Sequence, residues 1–144
     1  MNFTFIHNAL RSVFVILVAI LAAAMVTFSI NVIGHYIIPP PEAIDTNDFE
    51  SIKNNFHLFR TQHFIFPLLA HAIGTLASSY LISCMATSHK IWFALVLGIV
   101  FTLASLSLSW RIGHFSWIGI VEIAQYIPIS ILGYKIWQLT NKEK

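Results

Sequence analysis

Four long apolar runs constrain this chain more than any other feature of its sequence. They cover residues 12–38, 64–87, 91–110 and 116–138, and only the last contains charged side chains, Glu122 and Lys135. A membrane-spanning helix needs about 20 apolar residues, which rise about 1.5 Å each. Each run therefore predicts one membrane-spanning helix. The predicted fold class is all-α, a four-transmembrane-helix antiparallel bundle in a single domain over residues 1–144.

Composition supports a membrane environment. Hydrophobic residues make up 57% of the chain and charged residues 10%, whereas soluble domains carry about 25% charged residues. A small soluble domain leaves much of its surface exposed and could not hide this apolar excess from water. The net charge of +2 is too small to indicate nucleic-acid binding, and the single Cys84 excludes an internal disulfide bond.

The segment between the first two runs is polar and carries four of the six acidic residues. Its large apolar residues recur at three- and four-residue intervals, which is typical of one helical face; they are Phe49, Ile52, Phe56 and Phe59. The pattern predicts a short amphipathic helix over about 46–60, with Asp45 as its N-cap. We expect this helix to lie on the membrane or to cap the bundle.

Basic residues near the spans predict the orientation, because cytoplasmic loops carry more Lys and Arg. One side of the predicted bundle has Arg11, Lys90, Lys135, Lys142 and Lys144. The other side has Lys53, Arg60 and Arg111. We therefore expect a multi-pass protein of a bacterial inner membrane, with the N- and C-termini in the cytoplasm and residues 42–61 outside.

Polar residues interrupt the spans at a similar predicted depth. At about 1.5 Å per residue, Glu122 and His71 lie about 9 and 10 Å inside the outer ends of their spans. Asn31 and His35 fall about 10 and 5 Å inside the end of the first span. The predicted polar cluster comprises Glu122, His71, His35, Asn31, Gln125 and Tyr126. The residues expected at its mouth are His63, Arg111 and His114.

The acidic residue decides how this cluster is interpreted. An ionised carboxylate inside a bilayer costs about 2.5 to 3.5 kcal/mol or more, so Glu122 must be protonated, paired or hydrated. We predict that His71 is its partner, with His35 as the second choice. The cluster is then either a structural clasp or a ligand or ion site.

The sequence contains suitable metal ligands but no motif for an attached cofactor. His35, His71, His63 and Glu122 are suitable metal ligands, although no two of them share a metal-binding motif on one helix. Histidines on facing helices could also ligate haem. The sequence has no haem-attachment motif and no hydrolytic triad, so we predict no catalytic residue and no bound cofactor.

Four stretches of the chain give it a family resemblance. They are IGHYIIPPPE (33–42), HLFRTQHFIFPLLAHAIGTLASSYL (57–81), SHK (88–90) and EIAQYIPISILGYK (122–135). With them, most of residues 30–135 resembles a family of small bacterial membrane proteins without an established function. The resemblance implies a four-helix inner-membrane protein, and it implies no reaction for Glu122 or His71. The third span and the turn at residues 110–116 depart from the family pattern.

Three function classes follow from these features. The first is an accessory or scaffold protein that binds another membrane protein or forms a homo-oligomer. The second is a proton- or metal-ion-linked transporter or channel component. The third is an intramembrane cofactor-binding redox protein. We favour the first class, and we expect the lipid bilayer to be the main partner of the chain.

Overall fold

The computed structural model describes residues 3–42, 44–112 and 117–141, and it is helical throughout apart from the connecting segments. Five α-helices occur in this part of the chain: α1 (Phe3–Ile37), α2 (Phe49–Asn54), α3 (Ile65–Met85), α4 (Lys90–Ile112) and α5 (Trp117–Asn141). Two short 3-10 helices, Phe56–Leu58 and Thr61–Phe64, connect α2 to α3. The predicted all-α fold with a short helix in the first loop is confirmed.

Four helices are long and apolar enough to cross a membrane. Within the described residues these candidate spans are Ala9–Ile37, Thr61–Met85, Lys90–Ile112 and Trp117–Asn141, within a few residues of the predicted runs. Their outward faces carry large apolar side chains, such as Met25 and Leu21, which are 71% and 63% exposed. An apolar surface this extensive is typical of contact with lipid. The chain therefore has the features of an integral, multi-pass membrane protein.

Helix α3 is the centre of the bundle, because it packs against α1, α5 and α4, whereas α1 and α4 scarcely meet. Glycines allow close approaches of α1 and α5 to α3. A Cβ added at Gly74 would lie 2.5 Å from Oγ1 of Thr27 on α1. A Cβ added at Gly133 would lie 2.7 Å from the carbonyl oxygen of Leu76 on α3. Small residues thus bring α1 and α5 against α3, as expected for membrane helices.

The apolar core lies in the half of the bundle in which α1 begins and α5 ends. Val15 and Ala19 from α1 meet Ile82 from α3 and Leu97 from α4 there, and all four are nearly inaccessible. We call this half the terminal end, and the opposite half, which carries residues 38–64, the loop end. Towards the loop end α1 and α4 separate, and a cleft opens between them.

The loop helix differs from its prediction. Helix α2 covers only Phe49–Asn54, and its N-cap is Asp48, whose carboxylate accepts the N–H groups of Glu50 and Ser51. The predicted N-cap Asp45 instead accepts the N–H of Asn47 in a turn. The helix ends at its C-cap Asn55, whose backbone N–H makes the last helical bond to the Ser51 carbonyl and whose side-chain amide donates to the same oxygen.

A lysine closes the terminal end of α3. Lys90 is the first residue of α4, although the predicted span began at residue 91. Its ammonium donates to the carbonyls of Ser83 and Ala86. The same ammonium lies 4.4 Å from the ring centroid of Trp137 on α5. Lys90 thus satisfies the free carbonyls at the end of one helix and joins it to another.

Candidate functional site

A cleft of about 500 Å³ lies between α1 and α4. Its walls come from α1 and α4, and residues of α3 and α5 form its floor. Ala24 and Ala104 line opposite walls and are exposed at the mouth. The volume is within the range of small-molecule sites, about 300 to 1,000 Å³.

Three polar groups converge on one oxygen of Glu122 in the floor of this cleft. Nδ1 of His71 on α3 lies 2.8 Å from Oε1 of Glu122 on α5. The hydroxyls of Ser105 on α4 and Tyr126 on α5 each donate a hydrogen bond of 3.1 Å to the same oxygen. The predicted contact between Glu122 and His71 is therefore present, and three helices meet at this carboxylate.

The His71 contact is close but not linear. Nδ1 is inaccessible, and its position does not satisfy the angle of a hydrogen bond despite the 2.8 Å separation. The distance is that of an ion pair or of a charge-assisted hydrogen bond. The imidazole ring lies tilted beside the Tyr126 ring, with the two centroids 6.0 Å apart. An imidazole and a carboxylate 2.8 Å apart can hold or transfer a proton.

Two acceptor atoms of the cleft have no donor among the described residues. Oδ1 of Asn31 is buried and forms no hydrogen bond. The other carboxylate oxygen of Glu122, Oε2, makes none of the three contacts that Oε1 makes. It is not a buried atom. Buried polar groups nearly always have partners. The polar floor therefore has unused capacity to accept hydrogen bonds.

Several predicted cluster members lie elsewhere. His35 is exposed one helical turn beyond Asn31 and does not line the cleft. Gln125 donates to the carbonyl of Leu68 at 3.5 Å, and it does not line the cleft either. Of the predicted cluster, Glu122, His71, Asn31 and Tyr126 come together.

The residues expected at the mouth have other contacts. Nδ1 of His63 accepts the N–H of Arg60, which fixes the turn before α3. The guanidinium of Arg111 lies 5.0 Å from the Phe49 ring centroid and joins α4 to α2. His114 lies outside the described residues. His63 and Arg111 therefore support the loop and do not enter the cleft.

The candidate metal ligands do not assemble. Within residues 3–42, 44–112 and 117–141, no three His, Cys, Asp or Glu side chains lie close enough together to hold a metal ion. His71 and Glu122 make contact, but His35 and His63 are placed elsewhere for the reasons above. A metal site on these four residues is therefore not formed in this arrangement.

Ser105 belongs to the site but was not in the predicted cluster. It is 5% exposed, and its hydroxyl reaches Glu122 across the α4–α5 contact. Its position in the sequence carried a usable signal, because α4 and α5 are joined by a short turn. Ser105 and Glu122 lie about 10 and 8 Å from the helix ends that flank this turn, so both reach the same depth.

The cleft is polar at one level and apolar elsewhere. From Asn31, α1 lines it for about 16 Å towards the middle of the bundle, as far as Ile20. Around Ile20 and Phe101 the lining is apolar. The polar floor lies nearer the loop end. The long axis therefore runs from polar to apolar in the same sense as a lipid in the leaflet at the loop end.

No protein-family model, curated protein or solved structure matches this chain.

Proposed function

We propose that the protein is an accessory membrane protein, not an enzyme, that binds a membrane-dissolved amphipathic molecule in the α1–α4 cleft. One observation carries this proposal: a cleft of about 500 Å³ opens between two membrane-spanning helices and has a carboxylate in its floor. A lipid-soluble molecule could enter sideways, with its polar group beside Glu122 and its apolar part along Ile20 and Phe101.

The binding interpretation fits the contacts better than a purely structural clasp. A clasp satisfies its own polar atoms, as Oε1 of Glu122 does with three partners. The unsatisfied Oδ1 of Asn31 and the remaining carboxylate oxygen lie beside an open cavity instead. A half-satisfied polar group in a membrane is unfavourable unless another molecule supplies the missing partner.

Blocking the mouth of the cleft tests this function. Ala104→Trp would place an indole in the opening, whereas the matched variant Leu103→Trp changes the adjacent residue, which is 58% exposed and does not line the cleft. We expect native mass spectrometry to find an adduct of constant mass on the wild type and on Leu103→Trp, and to find it lost from Ala104→Trp. An adduct retained in full by Ala104→Trp, or missing from all three proteins, would contradict the proposal. The same spectra report whether the protein is a homo-oligomer.

A proton-linked transporter component is the second candidate. The 2.8 Å contact between His71 and Glu122 favours it, because this pair can exchange a proton beside the cavity. The test uses proteoliposomes that contain a pH-sensitive dye and carry an imposed proton gradient. Transport predicts proton movement that is lost in Glu122→Gln and kept in His63→Gln, whereas equal signals in all three proteins contradict it.

We also propose a location in a bacterial inner membrane, with both termini in the cytoplasm. Five basic residues against three support this orientation, and the resemblance to small bacterial membrane proteins supports the location. The test uses a membrane-impermeant maleimide on intact cells, in a Cys84→Ser background. We expect labelling of Asn54→Cys, which is exposed at the loop end, and none of Ser88→Cys, which is exposed at the terminal end. The reverse pattern would reverse the topology.

A further inference from the structure

We infer that the molecule bound in the cleft is a lipophilic amine, that is, a single apolar tail with an amino or ammonium head group. The inference rests on the proposed function and specifies the chemistry of its ligand. It follows from which hydrogen-bonding atoms of the cleft are already occupied and which are still available.

Three hydroxyl donors of the cleft are already in use. The hydroxyls of Ser105 and Tyr126 both donate to Oε1 of Glu122. Nδ1 of His71 lies 2.8 Å from the same oxygen without forming a linear hydrogen bond. On the α1 wall, the hydroxyl of Thr27 donates to the carbonyl of Ala70 at 3.2 Å. A ligand that offers only acceptors, such as a ketone or a quinone, would therefore find none of these three hydroxyls available.

Acceptors remain available at the same level of the cleft. Oδ1 of Asn31 is buried without a partner, and Oε2 of Glu122 lies outside the cluster of contacts on Oε1. A carboxylate oxygen accepts about two hydrogen bonds. The missing partner is therefore a donor, and an ammonium group provides three N–H donors where an alcohol provides one.

Charge favours an amine over an alcohol. Among the described residues, no Lys or Arg lines the cleft, and Glu122 is its only acidic residue. In the same part of the chain, His71 is the only lining side chain that could carry a compensating positive charge. Hydrogen bonds that involve ionised groups are about twice as strong as neutral ones, and a low-dielectric site strengthens them further. A fatty acid would instead bring a second carboxylate beside Glu122.

The shape of the cleft fits a single-tailed molecule. Helix α1 lines the cleft for about 16 Å from Asn31 to Ile20, and the lining is apolar around Ile20. The head group would lie nearer the loop end and the tail nearer the bilayer midplane, as in a lipid of that leaflet. An amine dissolved in this leaflet could therefore enter between α1 and α4 without inverting.

The test compares three probes that share one tail: dodecylamine, dodecanol and dodecanoate. The protein is reconstituted in nanodiscs as Cys84→Ser with an environment-sensitive fluorophore on Ala104→Cys. A second preparation carries the fluorophore on Leu103→Cys, outside the cleft, and corrects for partition of each probe into the bilayer. After this correction, we expect dodecylamine to shift the cleft signal at a concentration about tenfold lower than dodecanol, and dodecanoate to be weakest.

Two variants test which atoms give this preference. Glu122→Gln keeps the side-chain shape and removes the charge, and we expect it to reduce the amine preference to about twofold or less. Asn31→Leu removes the second acceptor, and we expect an intermediate loss; it also provides a readout if Glu122→Gln does not fold. Gln125→Leu, outside the cleft, should keep the full preference.

The outcomes separate the inference from the function on which it rests. If dodecylamine and dodecanol act equally at Ala104→Cys and not at Leu103→Cys, the cleft binds amphiphiles but the amine inference is wrong. The inference is also wrong if dodecanoate acts best, or if Glu122→Gln and Asn31→Leu keep the full preference. If no probe shifts the cleft signal beyond the Leu103→Cys reference, both proposals are overturned.

Discussion

Nδ1 of His71 on α3 lies 2.8 Å from Oε1 of Glu122 on α5. The two helices also approach closely at Gly133, where no Cβ separates α5 from the α3 backbone. A polar contact and a small-residue contact thus hold the same pair of membrane-spanning helices together. Their separate contributions can be measured.

A double-mutant cycle should detect coupling between these side chains. Glu122→Gln and His71→Ala should together destabilise the protein by about 1 kcal/mol less than the sum of their single effects, since membrane polar contacts contribute about 0.6 to 1.7 kcal/mol. The measurement is the free energy of unfolding in mixed micelles. Glu122→Gln combined with His63→Ala is the additive control, because His63 accepts from the Arg60 backbone instead. Full additivity of the His71 pair would mean that the contact contributes nothing.

A methyl group at Gly133 should destabilise the bundle. The Cβ of Gly133→Ala would lie 2.7 Å from the Leu76 carbonyl oxygen and 2.9 Å from Cβ of Ser79, so α3 and α5 must separate. Overpacking of this kind costs about 1 to 3 kcal/mol. Unfolding in mixed micelles measures this cost. Gly119→Ala is the control, because the nearest described atom, Oγ of Ser109, lies 3.8 Å from its new Cβ. Equal stability of the two variants would show that the α3–α5 contact is looser than described.

The N-cap of the loop helix should be Asp48 and not Asp45. Asp48→Ala removes the acceptor of the Glu50 and Ser51 N–H groups, and loss of an N-cap costs about 1 kcal/mol of helix stability. We expect faster amide hydrogen exchange across residues 50–54, and a smaller change in Asp45→Ala, since the Asp45 carboxylate accepts the N–H of Asn47 in the preceding turn. If Asp45→Ala accelerates exchange more than Asp48→Ala does, the N-cap is Asp45, as expected from the sequence.

Lys90 should stabilise the terminal end of the bundle. Lys90→Met removes the donor to the Ser83 and Ala86 carbonyls and the contact with the Trp137 ring. We expect a loss of about 1 to 2 kcal/mol in unfolding free energy. Lys135→Met is the control, because Lys135 is exposed. If the two variants unfold at the same denaturant concentration, the ammonium of Lys90 is not a structural contact.

Much of the fold was predictable because it depends on position along the chain. The apolar runs predicted four spans within a few residues, since the bilayer fixes the length of a spanning helix. The depth of a residue in the membrane also follows from its position along its helix, because each residue adds about 1.5 Å. The contact of Glu122 with His71 could therefore be predicted. Ser105 lies at the same depth because few residues separate α4 from α5, although it was not in the predicted cluster.

The remaining features depend on lateral packing and on competing local bonds. His35 lies one turn from Asn31, yet only Asn31 lines the cleft. The loop helix ends at Asn54, and the side-chain amide of its C-cap Asn55 donates to the Ser51 carbonyl. The spacing of apolar residues does not specify which residue caps a helix.

The sequence by itself determined the number of spans and the depth of the buried acid, because apolar run length and helical rise fix both. Only the tertiary structure decided which helices are neighbours. Small residues draw α1 and α5 onto α3, and α1 separates from α4 towards the loop end. The cleft beside Glu122 arises from that separation, which no periodicity within a single helix encodes.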